Sequence, residues 1–313
     1  MTTQLQPTAI AKPAQSSAAT KPLTRQDFRL FHRLRVRWVE VDLQKIVFNG
    51  HYLMYLDTAM GDYWRELAFP YEASMHTLGG DMFVKKAGVE YHASARLDDQ
   101  LDVGLKCVRI GSSSMMFMGG VFRGDELLVT GELLYVYANP ATQKSQALPA
   151  ALRAMFEDFE AGADMAPVQI GHWNELGPLA QPLRSDVFVQ EQRIPADLVW
   201  DVADHTALHA VSVNHLGLAV ATGRLVTLAP GVSKIGRMAV HRVLRGANFG
   251  KAILNSLVEQ SRGRGDHEVR LHAQSSAVGF YQRLGFVPRG EPFEEAGIAH
   301  QEMLKPLSRT AGS

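Results

Sequence analysis

The chain has 313 residues, of which 46% are hydrophobic and 20% charged; that is longer than one core usually requires and supplies material for two. Lys plus Arg number 32, as do Asp plus Glu, so the formal net charge is zero. No global field draws the protein to nucleic acid or to an anionic membrane, and any anion site has to be local. Cys107 is the single cysteine, which excludes an intrachain disulfide and a cysteine-rich metal site and points to a reducing, cytoplasmic setting.

Residues 1–24 are rich in Ala, Thr, Ser, Gln and Pro and contain no acid, so they read as a disordered tail. An organelle transit peptide shares that bias, but the segment lacks arginine and amphipathic periodicity. No apolar run in the chain approaches the roughly 18–20 residues that span a bilayer, so no membrane span is expected. Residues 33–39 read as a strand, and 50–68 switch to helical spacing, with Leu53, Leu56, Met60, Tyr63, Trp64 and Leu67 on one face. Strand-like runs follow at 83–97, 101–110, 115–122 and 127–137, separated by turn residues at Asp98-Asp99, Gly111-Ser112 and Gly124-Asp125. A sheet with an apolar face and a helix with an apolar stripe need each other, so the sheet is expected to wrap the helix.

A short helix over 149–160 ends at Ala161-Gly162-Ala163-Asp164, and a second unit begins after it. That unit reads as a strand (168–173), a helix (176–192), strands at 207–213, 218–228 and 234–240, a helix (249–262), a strand (268–272), a helix (277–284) and a final strand pair. The pattern is a mixed α/β domain with no internal repeat.

In the first unit the informative stretch is Val36 to Trp64, where Asp42 closes a strand and a helix opens some eight residues later. Amide N–H groups at a helix start lack intrahelical acceptors and carry the positive end of the dipole, so they suit a thioester oxygen turning into an oxyanion. A nearby carboxylate can attack the thioester carbon or deprotonate a water. Asp42 also suits turn capping. Asp57, Asp62 and Glu66 on the helix read as solvated surface acids, and His51 as a solvated or core-satisfied histidine that also stands close enough for proton shuttling. The methionine-rich run Ser114 to Met118 fits either an acyl tunnel or a core.

This stretch resembles the 4-hydroxybenzoyl-CoA thioesterase branch of the hotdog superfamily, the YbgC-like acyl-CoA thioesterases, over roughly residues 30–160. The resemblance implies that Asp42 is the catalytic carboxylate, that the oxyanion donor is at or near Asn49, and that Tyr52-Leu53 continues the family helix. Lys45 stands where the family has a turn glycine, and Asn49 where it has His or Tyr. The family's edge-to-edge pairing implies a homodimer or homotetramer.

In the second unit Ile235 to Lys251 reads as a strand, a basic turn containing glycine, and a helix start. Successive backbone N–H groups there can cradle a pyrophosphate, with Arg245 and Lys251 adding charge. The turn resembles the acetyl-CoA loop of the GNAT superfamily, carried by Arg245, Gly246, Ala247, Asn248, Phe249, Gly250 and Lys251, with Asn248 in place of the first family glycine. By that resemblance Met238 and Val240, on a strand that splays, meet pantetheine. Downstream, His272-Ala273-Gln274-Ser275, Gly279-Phe280-Tyr281, Leu284-Gly285-Phe286 and the stretch Phe293 to His300, with Leu183 to Gln192 upstream, are similar to the ElaA-like GNAT subgroup over about 168–306. Tyr281 then becomes the general acid for the leaving CoA thiolate, a phenol being protonated at neutral pH. The bland reading is a core tyrosine. Glu191, Asp201, Asp204 and His205 are candidates for the base, none of them singled out. His205 and His209 lie four apart, but where a strand starts, which disfavours a metal pair.

The combined expectation is an α+β chain: a tail (1–24), a hotdog thioesterase domain with an antiparallel sheet wrapped round a central helix (25–163), and a GNAT α/β domain with a mixed sheet (167–308). It would hydrolyse acyl-CoA and transfer an acetyl or longer acyl group to an amine, with acetyl-CoA or acyl-CoA as substrate and no permanently bound cofactor. The alternative leaves one domain as a non-catalytic acyl-CoA-binding or dimerisation module.

Overall fold

The computed structural model describes residues 22–307; the expected tail lies outside the described residues up to residue 21. The N-terminal unit runs β1 (Leu30–Arg35), α1 (His51–Glu66), α2 (Tyr71–Leu78), β2 (Asp81–Tyr91), β3 (Gln100–Ile110), β4 (Ser114–Arg123), β5 (Glu126–Ala138) and α3 (Ala150–Glu160). Its five strands form an antiparallel sheet in the order β1-β3-β4-β5-β2.

Helix α1 lies on this sheet, burying Tyr52, Tyr55, Leu56, Ala59, Met60, Tyr63 and Trp64, so the expected wrapped helix is observed. Two glycines set how closely it approaches. Gly119 on β4 and Gly131 on β5 face each other in register, and Leu56 of α1 sits over both, 2.3 and 2.4 Å from where a Cβ would stand. Tyr63 stacks on Phe156 of α3 and donates a hydrogen bond to Glu160 at 2.5 Å, which ties α3 to the same core. The methionine-rich strand packs largely inward: Met115 and Phe117 are fully buried in the core cluster.

Three details of the expected pattern are corrected. The first strand stops at Arg35, and Trp38–Glu40 form a 3-10 turn, because buried Glu40 accepts hydrogen bonds from the Arg37 backbone and guanidinium and from the Tyr55 hydroxyl. Anchoring Glu40 turns Trp38 and Val39 outward. Leu53 is exposed, and Tyr52, Tyr55 and Ala59 fill the apolar face instead. Helix α2, too short and polar for periodicity to reveal, fills the interval before β2.

The C-terminal unit runs β6 (Val168–Gly171), α4 (Trp173–Arg184), a π-helical segment (Ser185–Glu191), α5 (Ala196–Val199), β7 (Leu208–Val213), β8 (Ala219–Ala229), β9 (Val232–Val240), α6 (Phe249–Gly263), β10 (Glu268–Gln274), α7 (Val278–Arg283), β11 (Val287–Glu295) and β12 (Ile298–Pro306). Trp173 therefore opens a helix and does not end the first strand. The seven-stranded sheet has the order β11-β12-β10-β9-β8-β7-β6 and is mixed, β9 and β10 being its parallel neighbours. Leu257 and Ile253 of α6 cover one face with Val269, Leu271 and Ala273; Leu176 and Ala180 of α4 pack on Val211 on the other side.

The two units share core. Val220 and Leu244 belong to the apolar cluster of the first sheet, with Leu216 and Phe249 packed against it. Buried Asn214 donates its side-chain N–H to the Ala68 carbonyl at 2.8 Å, and His215 Nδ1 lies 3.3 Å from Asp158. Among the described residues no helix is long and apolar enough to cross a membrane.

Candidate functional sites

Between β1 and α1 the chain makes a tight loop whose ends are bridged at Val41 and Val47. Asp42 lies in this loop, not at a strand end. Its Oδ1 accepts the Gln44 N–H at 2.8 Å, its carbonyl accepts the Lys45 N–H at 3.0 Å, and its own N–H reaches the Ile46 carbonyl at 2.9 Å. The turn-capping role is thus real, but it uses one oxygen; Oδ2 has no protein partner among the described residues. Lys45 adopts φ +61°, the left-handed conformation that favours glycine. The turn keeps its shape with lysine, whose side chain is exposed.

Asp42 and Asn49 line one cleft of 380 Å³ with Phe48, Tyr52 and the segment Tyr91 to Ser94. The Tyr91 hydroxyl donates to the Asn49 carbonyl at 3.1 Å. Among the described residues the backbone N–H groups of Asn49 and Gly50 meet no acceptor, as expected of the residues that lead into α1. The cleft lining therefore holds a residue with a free amide, Asn49, and one with a half-free carboxylate, Asp42. Of the helix acids, Asp57 and Glu66 are exposed, and Asp62 is bound to His32 and Arg65. His51 Nδ1 is buried without a hydrogen-bond partner, its ring edge-on to Phe48.

In the second unit β9 and β10 pair only as far as Ile235 and Leu271, although β9 runs on to Val240 and β10 to Gln274. The strands part there. A bulge deepens the opening: the β8–β9 register shifts between Thr222 and Arg224, and Arg237 takes φ +51°. The resulting cleft of 580 Å³ is lined by Gly236, Arg237, Met238 and Tyr281 among others. Tyr281 is buried against Phe280 and Phe286, and burial pushes its phenol up to about 12, which keeps it protonated at neutral pH. Beyond the lining, the basic turn follows β9: Gly246 has φ +93° and Asn248 φ +66°, with Asn248 capping α6. Arg245 is held by Glu191 in a two-pronged ion pair at 2.6 and 2.7 Å.

Residues 44–136 match the thioesterase superfamily and residues 204–307 the acetyltransferase (GNAT) domain. The chain is 33% identical over 124 residues to the uncharacterized N-acetyltransferase YjcF of Bacillus subtilis, covering 39% of this chain and 87% of the relative. It is 28% identical over 125 residues to the acyl-CoA thioester hydrolase YbgC of Escherichia coli, covering 40% of this chain and 92% of the relative. The chain joins a thioesterase-superfamily unit to a GNAT unit. A solved structure, Escherichia coli ElaA, is 31% identical, covers 45% of this chain and 99% of its own, and superposes with a TM-score of 0.41.

In the thioesterase-family unit the structure brings Asp42 and Asn49 together. In the GNAT unit Met238 and Tyr281 share the cleft, while Val240 and the turn from Arg245 to Lys251 lie outside its lining. The acids considered as bases are largely spent on structure. Glu191 is pulled down by Arg245; Asp201, gripped by Arg224 and Arg237, is lowered to about 2 by those guanidiniums. Asp204 is buried between Arg184 and Arg224. His205 is exposed and away from the cleft, and buried His209 bonds the Asp204 carbonyl, so the two do not form a metal pair. Among the described residues no group of three or more His, Cys, Asp or Glu side chains converges as metal ligands. Missed from the sequence were Tyr91 to Ser94 in the first cleft and Lys234, His272 and Glu295 in the second. Alternation along β10 marks His272 as pointing away from the core, but only strand order places Lys234 and Glu295 beside it.

Proposed function

We propose that the thioesterase-family unit, residues 25–163, hydrolyses an acyl-CoA thioester, and that the GNAT unit, residues 167–308, transfers an acetyl or longer acyl group from CoA to an amine. The observation that carries the first half is the shared cleft: Asp42, with Oδ2 unpartnered, and Asn49, with its N–H unpartnered, both line it, and the free N–H of Gly50 follows directly at the start of α1. An acyl carbonyl seated at those amides has its developing negative charge met by fixed dipoles. Asp42 then drives attack on the carbonyl carbon, as nucleophile or as base for a water. In the second half, Tyr281 gives its proton to the departing thiolate, while the splayed backbone around Met238 and the turn from Arg245 to Lys251 hold the CoA arm. The lone thiol Cys107 and the absence of a long apolar helix among the described residues suit a cytoplasmic enzyme, and the exposed Trp38, Leu43 and Phe48 beside the first cleft suit a homodimer or homotetramer.

The test uses acyl-CoA esters of graded chain length and a thiol-reactive dye. Wild type releases CoA, Asp42→Asn loses at least about 100-fold of that release, and Tyr281→Phe keeps it. Equal release from Asp42→Asn and wild type sinks the hydrolase assignment. The Arg245–Glu191 pair favours a second reading, in which the GNAT unit only binds acyl-CoA, since it leaves the turn with less free positive charge. Absence of any amide product with retained acetyl-CoA binding supports that reading.

A further inference from the structure

The acids considered as bases are engaged elsewhere, yet the GNAT cleft contains an unassigned polar cluster. Val269, Leu271 and Ala273 of β10 point into the core with α6 and Tyr281. Arg270, His272 and Gln274 alternate to the opposite face, where Gln274 bonds Gln192 just past the π-helical segment. On that face His272 Nδ1 lies 2.7 Å from Glu295 Oε2, and Lys234 Nζ stands 3.2 Å from the same ring nitrogen. Phe293 packs edge-on against the imidazole at 4.8 Å, and His300 stacks on Phe293. Lys234, His272, Glu295 and His300 line the cleft.

The shorter contact places a hydrogen on Nδ1, donated to the Glu295 carboxylate, and leaves Nε2 as a bare acceptor. A carboxylate behind an imidazole holds its orientation and stabilises the cation that forms when Nε2 takes a proton. The charged and titratable groups facing the ring are Lys234 from β9, Glu295 from β11, and His300 and Glu302 from β12, the last being the register partner of His272. Arg237, on the bulge of β9, is turned to Asp201 and the Leu198 carbonyl. Burial lowers the pKa of Lys234, which weakens its opposition to a second positive charge nearby.

We propose that His272, oriented by Glu295, is the group that deprotonates the acceptor amine, and that the amine enters on the Lys234–His272–Glu295 side of the gap between β9 and β10, opposite the side where Tyr281 packs. The inference rests on the transferase reading above. The amine nitrogen attacks the thioester carbon, forming the C–N bond; its proton passes to His272 Nε2. The C–S bond breaks and the thiolate takes the Tyr281 proton. Solvent then returns the proton from His272 and reprotonates Tyr281, so the net products are amide and free CoA. Glu295 is a positioning residue in this scheme.

The experiment compares the full chain carrying Asp42→Asn, to suppress hydrolysis, with the same chain carrying His272→Gln or Glu295→Gln in addition. Acetyl-CoA and a panel of small primary amines, phenethylamine among them, serve as probes; amide is measured by mass spectrometry and acetyl-CoA binding by calorimetry. We expect His272→Gln to lower amine-dependent kcat/KM by about 100-fold or more, to abolish the acidic limb of its pH profile, and to leave acetyl-CoA binding unchanged. Glu295→Gln should give a smaller loss of about 10-fold. Amide formation by His272→Gln at the parent rate, or with the parent pH profile, overturns this assignment alone. A drop in acetyl-CoA affinity that matches the drop in rate also overturns it, because it marks His272 as structural. No amide from the parent protein with any amine sinks the transferase reading and this inference with it.

Discussion

Asp42 divides its labour between its two oxygens, one fixing the turn through the Gln44 N–H and the other left to the cleft. Asp42→Asn keeps an acceptor for that N–H, so the loss of CoA release expected of it should come with an unchanged thermal midpoint, measured by calorimetry. Lys45 carries the turn at φ +61°, a conformation that costs a side-chain-bearing residue about 1 kcal/mol. Lys45→Gly should therefore raise stability by up to about 1 kcal/mol, less whatever the freer unfolded chain takes back; a fall in the urea midpoint would contradict this. In the GNAT unit, Asp204 accepts from both Arg184 and Arg224 inside the protein. Asp204→Asn leaves the buried Arg184 guanidinium without a carboxylate, while Arg224 keeps Asp201, and should cost about 3 kcal/mol in denaturant unfolding. Asp201 gives a pH signature: its folded value, about 2, lies below its ordinary 3.8. The stabilisation it contributes is complete above the ordinary value and is lost as pH falls through about 2. Acid unfolding followed by circular dichroism should show that loss in wild type and not in Asp201→Asn.

The seating of α1 on its sheet is the element on which the first cleft depends, because α1 begins where Asn49 and Gly50 present their amides. Gly119 and Gly131 leave no room for a Cβ beneath Leu56. Gly119→Ala should cost about 1–3 kcal/mol through overpacking, and adding Leu56→Ala should recover part of it; strictly additive losses in thermal unfolding would show that the glycines do not set the approach. Most of the strands and long helices were legible, since β3 alternates, β4 and β5 are apolar runs bounded by turn residues, and α1 and α6 carry continuous stripes. What escaped did so for local reasons. Glu40, a buried acid, breaks the first strand by drawing Arg37 and Tyr55 to itself, and α4 passes through Pro178 and Pro182 into a π-helical segment that a 3.6-residue period does not describe. The pairing of Asp42 with Asn49 was readable because both fall within one short loop. The Lys234–His272–Glu295 cluster was not, because its members come from three strands made neighbours only by sheet order.

At the scale of the molecule, Val220 and Leu244 complete the apolar cluster of the first sheet, and Asn214 holds the carbonyl at the end of α1. Leu244 immediately precedes the basic turn of the GNAT unit, so that turn rests on the thioesterase-family unit. The link between the units behaves differently from the surfaces it joins: Ala161 and Gly162 are exposed, whereas Met165 and Ala166 just after them are buried. A protease admitted at Gly162 would cut the chain without separating its halves. The nicked protein should elute from a sizing column as one particle, with the halves parting only in denaturant, so that peptide continuity across this link is dispensable once the protein has folded.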